Sequence, residues 1–76
     1  MKDYRNEGGG SGVARYEFGD DFITIEYSSG ATYRYMVESA GREAIDTMKR
    51  LAEAGKGLNS FIGREVRGNY ASKAEK

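Results

Sequence analysis

The chain has 76 residues, with 12 basic and 12 acidic side chains and no histidine, cysteine or proline, and that length holds one domain only. The missing cysteines exclude a disulfide framework and a thiolate metal site. The missing histidines remove the commonest general base, the commonest metal ligand and the near-neutral pH switch.

The zero net charge hides an asymmetry. Met1 to Gly41 carries four basic and seven acidic residues, giving −3, whereas Arg42 to Lys76 carries eight and five, giving +3. Attraction for an anionic partner therefore rests on the C-terminal half. No basic segment followed by an apolar one opens the chain, and no apolar run approaches the roughly 20 residues that span a bilayer. A cytoplasmic protein without membrane contact is the expectation.

Residues 1–12 are polar and contain Gly8-Gly9-Gly10-Ser11-Gly12, so a flexible N-terminal tail is expected there. The glycine run lacks the Gly-Lys-Ser/Thr ending and the preceding strand of a phosphate-binding loop. Val13 to Phe18 alternates, with Ala14, Tyr16 and Phe18 on one side and Val13, Arg15 and Glu17 on the other. Gly19-Asp20-Asp21 supplies a turn. Phe22 to Tyr27 and Thr32 to Val37 are two further alternating runs around Ser28-Ser29-Gly30-Ala31. In a hairpin Ile23, Ile25 and Tyr27 share a face with Tyr33, Tyr35 and Val37, because side chains alternate with a period of two. Thr24, Glu26, Thr32 and Arg34 take the other face, which can stay wet.

Ala40 to Ala54 reads as the covering helix. Ser39 is a plausible N-cap, Glu43 suits the positive end of the helix dipole, and Ala44, Ile45, Met48, Leu51 and Ala52 form one apolar stripe. Lys49 and Arg50 favour its C-terminal end, and Gly55 is a natural stop. Leu58, Phe61 and Ile62 then suggest a short closing turn, with Asn59 as its cap or as a tie to neighbouring loops. Val66 is read as the start of a last extended piece, and Tyr70 as packing back on the domain. The expected fold is α+β: a three-stranded antiparallel β-meander packed against one amphipathic α-helix, with a short C-terminal helical turn. Residues 13–70 form the single domain and residues 71–76 a disordered tail.

Enzyme chemistry finds no constellation. Asp20-Asp21, or Asp46 with Glu53, pair carboxylates without a base, nucleophile or metal cluster beside them, so a non-enzymatic protein with no metal or cofactor is expected. Binding is better supported. Six tyrosines offer flat apolar rings with polar tips, and such rings serve as platforms for unpaired bases where cations lie nearby. Alternation turns Tyr33 and Tyr35 toward the core, so a single-stranded RNA site rests on Arg34, Lys56, Arg64, Arg67 and Tyr70. The competing reading is a protein-interaction module that docks through the outer sheet face or the closing turn, with an apolar patch around Phe22, Met36 or Phe61.

The ordered set Ile23, Ile25, Tyr27, then Ser29-Gly30, Tyr33-Arg34-Tyr35, a helix ending in glycine and Asn59-Ser60-Phe61-Ile62 resembles the KTSC domain. That small domain is found at the C-terminus of some lysyl-tRNA synthetases and as a free-standing bacterial or phage protein. The likeness covers Ser11 to Tyr70. Members usually place Val-Pro at the helix start, where this chain reads Met36-Val37-Glu38-Ser39, and a tyrosine nearer the isoleucine than Tyr70 is to Ile62. The resemblance implies a small α+β fold with Tyr33, Tyr35 and Asn59 as its structural motif. Its synthetase context implies an RNA partner such as tRNA.

Overall fold

The computed structural model describes residues 1–7 and 12–74. Strands β1 (Lys2–Asp3), β2 (Val13–Phe18), β3 (Phe22–Tyr27), β4 (Thr32–Met36) and β5 (Ser72–Ala74) form one antiparallel sheet in the order β1-β2-β3-β4-β5. Helices α1 (Val37–Ala40), α2 (Arg42–Ala54) and α3 (Leu58–Phe61) follow β4, and Ile62–Val66 continues α3 in wider π-type turns. The architecture is α+β, but five strands and several helical segments replace the expected three strands and one helix.

The central hairpin has the register that alternation predicts. Ile23 faces Tyr35, Ile25 faces Tyr33, and Thr24 faces Arg34. The turn closes through the Tyr27 N–H donating to the Ala31 carbonyl at 2.8 Å and the Gly30 N–H donating to that of Tyr27 at 2.9 Å. Ile23, Ile25, Tyr35, Ile45, Met48 and Leu58 are all within 1% of complete burial. An aliphatic side chain buried to this extent is worth about 1.5–3 kcal/mol.

Two expectations of facing change. Val13 lies in the core beside Tyr16, not outside with Arg15, because β2 bulges: Val13 opposes Tyr27 while Arg15 already opposes Glu26. The extra residue flips the alternation at that point. On the outer face Thr24 is not wet but 5% exposed. The Arg34 Nε donates to its hydroxyl at 3.1 Å, and the Arg34 guanidinium lies 4.6 Å from the centre of the Phe22 ring.

Both ends of the chain are more ordered than their composition suggests. Lys2 and Asp3 pair with Tyr16 and Arg15, and Tyr4 is 6% exposed within the core. The expected N-terminal tail is thus corrected for residues 1–7; Gly8 to Ser11 lie outside the described residues. At the other end Ser72 to Ala74 pair with Arg34, Tyr33 and Thr32, so the disordered tail expected from residue 71 is corrected as far as residue 74. Residues 75–76 lie outside the described ones. Polar segments hold here because backbone pairing to an existing edge needs no apolar side chains.

The helical part begins earlier than its apolar stripe implies. Ser39 caps nothing in α2; its hydroxyl accepts the Met36 N–H and donates to the Met36 carbonyl, each at 3.1 Å. Gly41, at φ +93°, separates α1 from α2, a conformation that glycine adopts without a Cβ clash. Ile45, Met48 and Ala52 of α2 are buried, with Ala44 and Leu51 packed against them. Gly55 ends α2 in the left-handed region at φ +77°. Lys49 donates to the Asp20 carbonyl at 2.9 Å, not to the end of its helix. The end of α2 is met by Arg5, whose Nη2 donates to the carbonyls of Glu53 at 2.8 Å and Ala54 at 2.9 Å. Val66, expected to be extended, is helical and 2% exposed. Among the described residues no helix is long and apolar enough to cross a membrane.

Candidate functional site

An open groove of about 490 Å³ lies between the β3–β4 turn and the segment after α2. One wall is the end of the hairpin: Tyr27, Ser28, Ser29, Ala31 and Tyr33, with Tyr35 at its base. The other wall is Asn59, Ile62, Gly63 and Arg67. The wall of the sheet is aromatic because Tyr27, Tyr33 and Tyr35 share the core face near the turn. The helical wall is open because an added Cβ at Gly63 would meet nothing within 4 Å.

The tyrosines form a connected set. Tyr33 and Tyr35 lie parallel at 6.5 Å between ring centres, and Tyr27 meets Tyr33 edge-on at 5.6 Å. Tyr70 meets Tyr33 edge-on at 5.1 Å and Tyr35 at 6.4 Å. The Lys73 ammonium sits 5.6 Å from the centre of the Tyr33 ring. Burial pushes the Tyr35 hydroxyl well above the usual tyrosine range, with Tyr27, Tyr33 and Tyr70 adding to it. Burial, and then Tyr33, raises Tyr27 in the same direction. Both stay neutral at physiological pH and bring no negative charge to the groove.

Among the described residues no carboxylate lines this groove, whereas a second hollow carries Glu17 and a third Glu43 and Glu65. Arg67 is exposed and has no ion-pair partner among the described residues. Arg64, by contrast, is held by Glu65 at 3.2 Å. Among the described residues the groove thus combines tyrosine rings, hydroxyl and amide hydrogen-bonding groups and the Arg67 guanidinium.

No protein-family model, curated protein or solved structure matches the chain.

The residues named from sequence divide accordingly. Arg67 and Asn59 line the groove with Tyr33 and Tyr35, and Tyr70 packs on the two tyrosines. Gly57, at φ +81°, stands at the start of α3 in place of the cap expected of Asn59. Arg34 belongs to the opposite face of the sheet, engaged with Thr24 and Phe22. Arg64 and Lys56 are exposed and outside the groove. The groove also takes in Tyr27, Ser28 and Ser29, which the sequence pattern places on the core face and in the turn rather than among the binding residues. Phe22, Met36 and Phe61 are half-buried. Among the described residues the exposed large apolar side chains are Met1 and Tyr70.

Proposed function

We propose that the protein is a non-catalytic RNA-binding module of the KTSC kind and that the tyrosine groove is its site. The observation that carries this reading is the meeting of Arg67 with Tyr27, Tyr33 and Asn59 along one groove that no carboxylate lines among the described residues. Aromatic rings and a guanidinium suit an unpaired base and its phosphate, whereas paired RNA would need a broad basic face. Asn59 and the serine hydroxyls add donors and acceptors for a base edge or a 2′-hydroxyl. Of the five residues expected to bind RNA, Arg67 and Tyr70 belong to this site, and Arg34, Lys56 and Arg64 do not.

The test is an NMR titration of the labelled protein with a short single-stranded RNA at low salt. Amide shifts at Asn59, Gly63, Arg67 and the 28–31 turn are expected, weakening as salt rises. No shift at low salt, or shifts confined to Arg34 and Arg64, overturns the reading.

A further inference from the structure

We infer that the groove accepts a single nucleotide unit, one base with its own phosphate, and does not track a strand. This inference rests on the RNA-binding reading and narrows it. A channel that follows a strand repeats its aromatic platforms and its cations along a line, giving site sizes of about 4–16 nucleotides per small barrel. Among the described residues that line the groove the one cation is Arg67, and the nearby Lys73 ammonium lies over the ring of Tyr33, 5.6 Å from its centre, rather than farther along a line of platforms. The groove's volume, about 490 Å³, falls in the range of small-ligand pockets, about 300–1,000 Å³.

The surroundings limit the footprint further. Beyond the helical wall Arg64 is paired with Glu65. On the sheet side Tyr70 stands edge-on to Tyr33 at 5.1 Å, and β5 pairs with β4 beside it. A strand leaving the groove on that side meets the protein's own C-terminal segment. The recognised unit is therefore a nucleotide that projects from its chain, as in a bulge, a loop or an end, or a free mononucleotide.

Uridine 5′-monophosphate, uridine and a ten-residue oligouridylate distinguish these sources. The monophosphate is expected to move the Asn59, Gly63 and Arg67 amides along the same paths as the oligomer. The oligomer's affinity is expected to fall with salt with a logarithmic slope of about −0.7, the value for one phosphate contact on a single strand. Arg67→Ala is expected to weaken the monophosphate about tenfold, the loss of one charge-assisted hydrogen bond, and to leave uridine unchanged. Gly63→Trp fills the groove from an open position and is expected to abolish all three responses while the fold, read from the amide spectrum, persists. If the oligomer binds with shifts at the groove but the monophosphate does not, or if the slope is about −2 or steeper, the single-nucleotide footprint is overturned and the RNA-binding reading survives. If none of the three shifts the groove amides, both fall.

Discussion

The Tyr4 hydroxyl accepts the backbone N–H of Leu58 at 3.3 Å, across 54 residues of sequence. Leu58 opens α3, where the first N–H groups of a helix have no partner within the helix, and it is fully buried. One phenol thus joins the N-terminal segment to the helix that forms a wall of the groove. Tyr4→Phe keeps the ring and leaves that buried N–H without its acceptor, at a cost of about 1 kcal/mol. Tyr4→Ala also opens a cavity and costs about 3–5 kcal/mol, a large part of the about 5–15 kcal/mol that holds a small domain. Urea denaturation of the two variants measures both, and equal losses in the two would remove the cavity from the account.

The same segment crosses the end of α2. The Arg5 Cβ lies 2.7 Å from where a Cβ on Gly55 would stand, and Gly55 is at φ +77°. Gly55→Ala therefore meets two obstacles, the left-handed backbone, at about 1–2 kcal/mol, and the steric conflict with Arg5. In an Arg5→Gly background the conflict disappears and the backbone cost remains. A double-mutant cycle is expected to give a coupling of about 0.5 kcal/mol or more, and strict additivity would show that the Arg5 backbone moves aside.

Arg34 and Arg67 separate stability from binding. Arg34→Ala removes the donor to the buried Thr24 hydroxyl and the cation over Phe22, costing about 1 kcal/mol or somewhat more. RNA affinity at a temperature where the variant is folded is expected to be unchanged. Arg67→Ala is expected to do the reverse, because Arg67 is exposed and supports no buried group. Parallel denaturation and titration of the two variants decide the matter; an RNA defect in Arg34→Ala would move the site to the outer face.

The tyrosines also set a limit in alkali. Folding holds the Tyr35 and Tyr27 hydroxyls above their ordinary value of 10.0, chiefly by burial. A raised folded-state value means that the unfolded chain gives up these protons first. Stability is therefore complete below about pH 10 and falls as pH rises beyond it. Urea midpoints between pH 8 and 11 are expected to hold level and then drop, and Tyr35→Phe is expected to make the drop shallower. A flat profile in the unmodified protein would contradict the burial of these hydroxyls.

Much of this layout was legible in the residues. The period-two runs around Ser28 to Ala31 gave the central hairpin and its register, because a one-residue slip would turn Ile23, Ile25 and Tyr35 out of the core. The stripe Ile45, Met48, Ala52 gave the covering helix. The same alternation that buries Tyr35 sends Arg34 to the opposite face, so its absence from the groove was implicit. Val13 escaped because a bulge leaves no mark in an alternating pattern. Val66 escaped although Leu58, Ile62 and Val66 recur every four residues, a helical spacing that the intervening glycine obscured. Tyr4, Arg5 and β5 escaped because their partners are distant backbone groups, which single-segment patterns do not encode. Of the groove's helical wall, Asn59 and Ile62 stand in the closing turn that the spacing predicts, and only Arg67 stands where the extended piece was expected.

The sheet covers the outer sides of β2 and β4 with two short edge strands, β1 along β2 and β5 along β4. These seals are short, two residues on one side and three on the other, and their side chains are exposed. A protease that trimmed either end would bare a row of unpaired backbone groups, and an uncovered strand of this sort recruits another like it. Clipped molecules are thus expected to join rim to rim into aggregates, so the few residues that add least to the core are the ones that keep each molecule separate from its neighbours.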